Sequence, residues 1–247
     1  MRGAPISPVQ QAWMICLLAA WFSLLFGGFV FGNPSPPRDR RMPRLTRLGS
    51  SAVLVVAGWS WLYIAMRTQA RGFAVLIAIG MTLGFVGDLA MARVLPVTRH
   101  VLAGMVAFGL GHVAYILAFA CFASRRPTGS SALCVGAWLG WVIVGATGWW
   151  VIVHPSSPPT RLGWAALPYS ILVASTAGIS TCLAIQDADF IPAAIGAALF
   201  LMSDTILAAV LFERLRFRLV HDLVWLTYGP AEMLIVYSVS AAIQAVN

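Results

Sequence analysis

Eight times along this chain an apolar run of about twenty residues occurs, and that repetition limits the fold more than any other feature. At about 1.5 Å rise per residue, a helix of that length covers the roughly 30 Å of hydrocarbon in a bilayer. Backbone N–H and C=O groups placed in lipid must be satisfied within their own segment, and a helix does this. The runs fall near residues 11–31, 47–66, 72–92, 100–123, 131–153, 161–185, 190–212 and 222–245. Links such as NPSPPRDRRMPR at 33–44, RRPTGSS at 125–131 and HPSSPPT at 154–160 separate them. Their prolines and small polar residues cannot continue a helix. The first run exceeds the 7 to 15 residues of a signal-peptide core and no small-x-small cleavage site follows it, so it is read as a span. No link could hold a soluble domain. The expectation is an all-α integral membrane protein, a bundle of about eight transmembrane helices forming one polytopic domain over residues 1–247.

Composition agrees: 60% of the residues are hydrophobic and 10% charged, with a mean hydropathy of +0.86. The 16 basic residues are all arginine. They cluster in the links rather than on a helical face, which argues against nucleic acid as a partner and makes the high pI a matter of topology. The links after the first, third, fifth and seventh runs carry Arg38, Arg40, Arg41, Arg44, Arg47, Arg93, Arg99, Arg161, Arg214, Arg216 and Arg218. Arg2, Arg67, Arg71, Arg125 and Arg126 lie on the other side. The positive-inside rule places the first set in the cytoplasm and both termini outside, in a bacterial-type inner or plasma membrane. Trp59, Trp61, Trp149, Trp150, Trp164 and Trp225 near run ends suit interfacial belts or, equally, packing. Cys16, Cys121, Cys134 and Cys182 form no CxxC pair and read as small core residues, with no disulfide or zinc site expected.

Of the eight acidic residues, Asp39, Asp187, Asp189, Glu213 and Asp222 fall in links or at run ends, where water is expected to solvate them. Asp88, Asp204 and Glu232 lie inside spans, as does His112. A charge at the bilayer centre costs about 2.5–3.5 kcal/mol even on the mild insertion scale, so such residues usually have work to do. Counted from the arginine-rich face, Asp88 lies roughly 7 Å deep, Asp204 roughly 13 Å, Glu232 roughly 15 Å and His112 roughly 18 Å. Helical periodicity puts Gly80, Gly84 and Gly87 beside Asp88, Gly104, Phe108, Gly111 and Tyr115 beside His112, and Gly196, Phe200 and Ser203 beside Asp204. Small neighbours let helices approach, which turns these groups toward the bundle interior. FVGDLAMA at 85–92 also echoes LMSDTILA at 201–208 four spans later, and a parallel repeat would bring the two aspartates together.

Two carboxyls sharing a dry site do not ionise together, which leaves one proton donor and one base. That pairing suits hydrolysis of an acid-labile ether through an oxocarbenium-like species. A proton-coupled lipid or small-molecule transporter could use the same acids. Metal-assisted hydrolysis by His112, Asp88 and Asp204 is the weaker option, because hydrolytic zinc sites usually use more histidines. No cofactor is expected.

The segments LGFVGDLAMA at 83–92, GMVAFGLGHVAYILAF at 104–119, GAALFLMSDTILAA at 196–209 and YGPAEMLIVYS at 228–238 resemble those of the YhhN-like lysoplasmalogenases. The resemblance implies eight spans and hydrolysis of the vinyl ether of a lysophospholipid to an aldehyde and a glycerophospho head group. Asp88 and Asp204 would be its catalytic pair. His112 and Tyr115 would orient a carboxylate or the phosphate end, Ser203 would bond its neighbour, and Tyr228 and Glu232 would complete the site. Two positions depart from the pattern. Glu232 stands where the family usually has Gln, and RLTRLGSS at 44–51 replaces a Lys-Pro pair, leaving Arg44 or Arg47 to meet the head group.

Overall fold

A computed structural model describes residues 6–34, 39–125, 131–154, 160–212, 215 and 217–246. Arg2, Arg38, Arg126, Glu213, Arg214 and Arg216, with parts of the proline-rich links, lie outside the described residues. The helices are α1 (Pro8–Phe31), α2 (Arg44–Ala65), α3 (Arg71–Met91), α4 (His100–Ala123), α5 (Ser131–Ile152), α6 (Arg161–Gln186), α7 (Ile191–Phe212) and α8 (Val220–Gln244), with a short 3-10 turn, Ala188–Phe190, leading into α7. All eight are long and apolar enough to cross a membrane. The starts of α1 and α2 each lie three residues before the expected run, the largest boundary shifts, and capping explains the one at α1. There Ser7 accepts from the Gln10 N–H, the Gln10 side chain accepts from the Ser7 N–H, and Pro8 opens the helix. This reciprocal capping satisfies two otherwise orphaned donors and extends the helix past the apolar run. Thr160 likewise caps α6 through the Gly163 N–H.

Five helices close a ring: α8 packs on α3, α3 on α4, α4 on α6, α6 on α7, and α7 back on α8. Outside it, α2 packs against α3 and α8 with α1 behind it, and α5 leans on α6 and α7. Among the described residues no Cα of α3 comes within 8 Å of one in α7, so the space between the two aspartate-bearing helices belongs to the ring interior. The outer surface exposes large apolar side chains such as Ile15, Phe22, Val106, Leu110, Ile143 and Ile195. In water such a patch would drive association, whereas in a bilayer it is the solvated face.

Several expectations need correction. Of the two readings open for the tryptophans, burial selects packing for Trp61 and Trp149, and Trp149 donates to the Gly163 carbonyl at 2.8 Å. Cys134 and Cys182 are joined in a disulfide. They are 48 residues apart in sequence, and the antiparallel pairing of α5 with α6 brings them together at the face opposite the arginine-rich links, which spacing alone could not reveal. Asp222 is fully buried and not solvated. Its carboxylate accepts the backbone N–H groups of Arg41 and Met42. In the first turn of α8 it is favoured by the helix dipole, and it fastens the arginine-rich link across the end of the bundle.

Candidate active site

A cavity of about 940 Å³ enters the ring from the arginine-rich end, and both Asp88 and Asp204 line it. Asp88 sits near the C-terminal end of α3 and is 4% exposed. Its Oδ2 accepts two hydrogen bonds, from the Ser51 hydroxyl of α2 at 2.6 Å and from the Tyr228 hydroxyl of α8 at 3.1 Å. Asp204 faces it from α7, and its Oδ2 accepts the Tyr169 hydroxyl of α6 at 2.6 Å. Three helices besides their own thus hold the carboxyls in place, each through a hydroxyl that leaves the second carboxyl oxygen open to the cavity. The two acids interact electrostatically across this space.

The cavity mouth is basic. Arg40, Arg41, Arg44, Arg47 and Arg93 line it, together with His100 and His221. Arg41 is already engaged: its guanidinium donates to the Gly32 and Val30 carbonyls and caps α1. Arg47 is available. Its guanidinium lies over the Trp225 ring at 5.4 Å and its buried Nε has no hydrogen-bond partner. A cation held on an aromatic face with donors left over is suited to an anion such as a phosphate. Of the two arginines expected to replace the Lys-Pro pair, both line the cavity, but Arg47 is the half-buried one and Arg44 is exposed.

The remaining sequence-derived residues divide between cavity and interior. Tyr228 lines the cavity and bonds Asp88. Ser203 also lines it, but its hydroxyl donates to the Val224 carbonyl at 3.0 Å, so it ties α7 to α8 and does not bond Asp204. His112, Tyr115 and Glu232 lie deeper and do not line the cavity. The His112 Nδ1 shares a 2.9 Å hydrogen bond with the Thr176 hydroxyl, which also lies 3.2 Å from the Leu172 carbonyl, and Nε2 is left buried without a partner. The Tyr115 hydroxyl is buried without a partner as well, and the buried Glu232 carboxyl has only the Tyr228 hydroxyl close to it. Two glycines make room for this layer: a side chain at Gly80 would strike the Tyr115 ring, and one at Gly84 would strike the Glu232 carboxyl. His112 and Tyr115 therefore lie in the buried layer beyond the cavity and away from its mouth. His112, Asp88 and Asp204 do not converge, and no cluster of three metal-ligating side chains occurs among the described residues.

Residues 45–239 match the family model of the YhhN family. The chain belongs to the YhhN family. It is a multi-pass membrane protein of the lysoplasmalogenase-type family, and the YhhN family is associated with lysoplasmalogenase activity. Comparison with curated proteins and with solved structures gave no match. The matched region covers α2 to α8 up to Val239, and so includes every carboxyl, hydroxyl and arginine of the cavity from Arg47 onward. Ser51, Tyr169 and Thr176 were not singled out by the sequence. Serine, threonine and tyrosine are common in membrane helices, and only the packing of α2 and α6 reveals which of them face a carboxyl or an imidazole.

Proposed function

We propose that this YhhN-family protein hydrolyses the vinyl ether of a lysoplasmalogen-type lysophospholipid, using Asp88 and Asp204 as an acid/base pair. The observation that carries this reading is the pairing, in one cavity, of two opposed aspartates below a rim of arginines. The arginines suit the phosphate of a head group entering from the membrane surface. The aspartates lie below, where the ether oxygen of a single-chain lipid would sit.

Chemically, a proton from one carboxyl adds to the outer vinyl carbon and gives an oxocarbenium ion. The other carboxylate takes a proton from water as its oxygen bonds the carbon next to the ether oxygen. The resulting hemiacetal collapses to aldehyde and glycerophospho alcohol, with one water consumed overall. The hydrogen bonding favours a division of roles. Asp88 accepts two hydroxyls and faces Arg47 electrostatically, which suits the group that carries charge. Asp204 has one donor and also borders an apolar cleft, which suits the group that hands a proton to carbon.

We further infer that the arginine-rich face is cytoplasmic and the termini lie on the opposite side. The Cys134–Cys182 disulfide lies at that opposite face, and disulfides persist in oxidising compartments. Labelling of an engineered terminal cysteine by an impermeant maleimide on intact cells tests this; protection until lysis would reverse it.

The activity test is release of fatty aldehyde from a lysoplasmalogen by purified protein in detergent. Release without any pH gradient separates a hydrolase from a proton-coupled carrier. Lipid left unaltered while a gradient drives its flux in liposomes would overturn the hydrolase.

A further inference from the structure

Beside the main cavity lies a second, narrow cleft of about 80 Å³, and the two share Asp204, Phe108 and Met91 in their walls. The cleft runs from Asp204 outward between α4 and α5 along α6 and α7. Its character is the reverse of the main cavity's. No arginine lines it, and its walls include Met105, Trp149, Ala166, Val173 and Phe212. The few hydroxyls present are turned back into helix backbone: Ser170 donates to the Leu167 carbonyl and Thr205 to the Leu201 carbonyl. Tyr169, also in the wall, donates to Asp204. Asp204 therefore stands where a basic chamber meets an apolar one.

The outer side of the cleft falls between two helices whose backbones do not pack on each other. No Cα of α4 comes within 8 Å of one in α5 among the described residues, although each packs on α6. The gap lies at the arginine-rich end of the bundle, since the cleft is walled by the last turns of α5 and α7 and the first turns of α4 and α6. Gly148 of α5 lines it, and a Cβ built there meets no atom within 4 Å. A larger side chain at position 148 therefore has room to be built without striking a neighbour.

We propose that this cleft is the subsite for the hydrocarbon chain of a single-chain lipid, which slides in laterally from one leaflet through the α4–α5 gap while its anionic head occupies the arginine-lined cavity. The proposal rests on the lysophospholipid reading above and adds where the tail goes. Charge complementarity at the mouth selects the head, and continuity of the two chambers at Asp204 puts the head-to-chain junction beside the reacting carboxyls. A narrow cleft also admits one chain and not two, which favours single-chain over two-chain lipids.

The test is binding, not turnover. A series of saturated 1-O-alkyl lysophosphatidylethanolamines of increasing chain length, which carry no vinyl ether to cleave, is titrated onto protein in nanodiscs. The variants are Gly148→Leu, which fills the cleft, and Phe212→Ala, which widens it. The readout is the ratio of variant to wild-type Kd at each chain length, in which partition into the disc cancels. Each buried methylene changes affinity by roughly fourfold. Gly148→Leu is therefore expected to leave short chains unchanged and weaken long ones by about tenfold or more, with Phe212→Ala moving the longest chains the other way. Ratios flat across chain length for both variants would overturn the proposal, as would an equal loss at every length. If the ratios shift as expected but wild type cleaves no vinyl ether, the chain subsite stands and the hydrolase reading falls. If wild type cleaves and the ratios stay flat, the reverse holds.

Discussion

Replacing Tyr169 with Phe removes one oxygen from the site and nothing else. The ring, which packs edge-on against His112 at 6.3 Å, keeps its place, so the fold should survive. What is lost is the 2.6 Å hydrogen bond to Asp204, the one hydroxyl held by that carboxyl. Asp204, the proposed proton donor, gains negative charge as its proton leaves, and a hydrogen bond to that charged form contributes about 1.5–3 kcal/mol to the transition state. At about 1.36 kcal/mol per tenfold in rate, the loss corresponds to a roughly 10- to 150-fold fall in kcat. KM should move little, because the arginine mouth that meets the head group is untouched. The assay is steady-state aldehyde release from a lysoplasmalogen in detergent, with thermal unfolding of the same preparation as a control for folding. A variant with wild-type unfolding temperature and kcat within about twofold of wild type would refute the claim that Tyr169 positions an essential acid.

Other perturbations give different signatures. Arg47→Gln is expected to raise KM for a lysophospholipid about tenfold or more through loss of a charge-assisted contact, while a headless 1-O-alkenyl glycerol is affected far less; equal effects on both would remove Arg47 from head-group binding. Gly84→Ala places a Cβ against the Glu232 carboxyl, and overpacking of this kind costs about 1–3 kcal/mol, read as a lower unfolding temperature accompanied by reduced turnover. Replacing Cys134 and Cys182 together by Ala should lower stability by about 2–4 kcal/mol with kcat preserved, because the bond lies at the opposite end of the bundle from the cavity; a large loss of kcat would argue otherwise.

The helices and the two aspartates could be read from sequence because both are set by strong local terms. An apolar run of about twenty residues has few other fates, and a carboxyl within one is conspicuous by its cost. The glycines flanking Asp88 correctly marked the inward face of α3, and the structure explains them individually: Gly80 and Gly84 accommodate Tyr115 and Glu232. What could not be read depends on which helices meet. Ser51 and Tyr169 acquire a role only because α2 and α6 pack where they do. Ser203 sits next to Asp204 in sequence, yet its hydroxyl finds the nearer backbone carbonyl of Val224. Asp222 looked solvated because it opens a helix, and it is buried because the link between α1 and α2 crosses the end of the bundle and offers it the Arg41 and Met42 N–H groups. The disulfide was hidden for the same reason, being a contact between helix ends 48 residues apart.

The central claim is that Asp88 and Asp204 act together on a lipid ether. Mass spectrometry of lysoplasmalogen incubated with wild type, Asp88→Asn and Asp204→Asn protein tests it most directly. Wild type should yield fatty aldehyde and the glycerophospho head group in equal amounts, and each folded variant should yield neither above the protein-free background. Undiminished aldehyde from either variant, or intact lipid after incubation with wild type, would contradict the account.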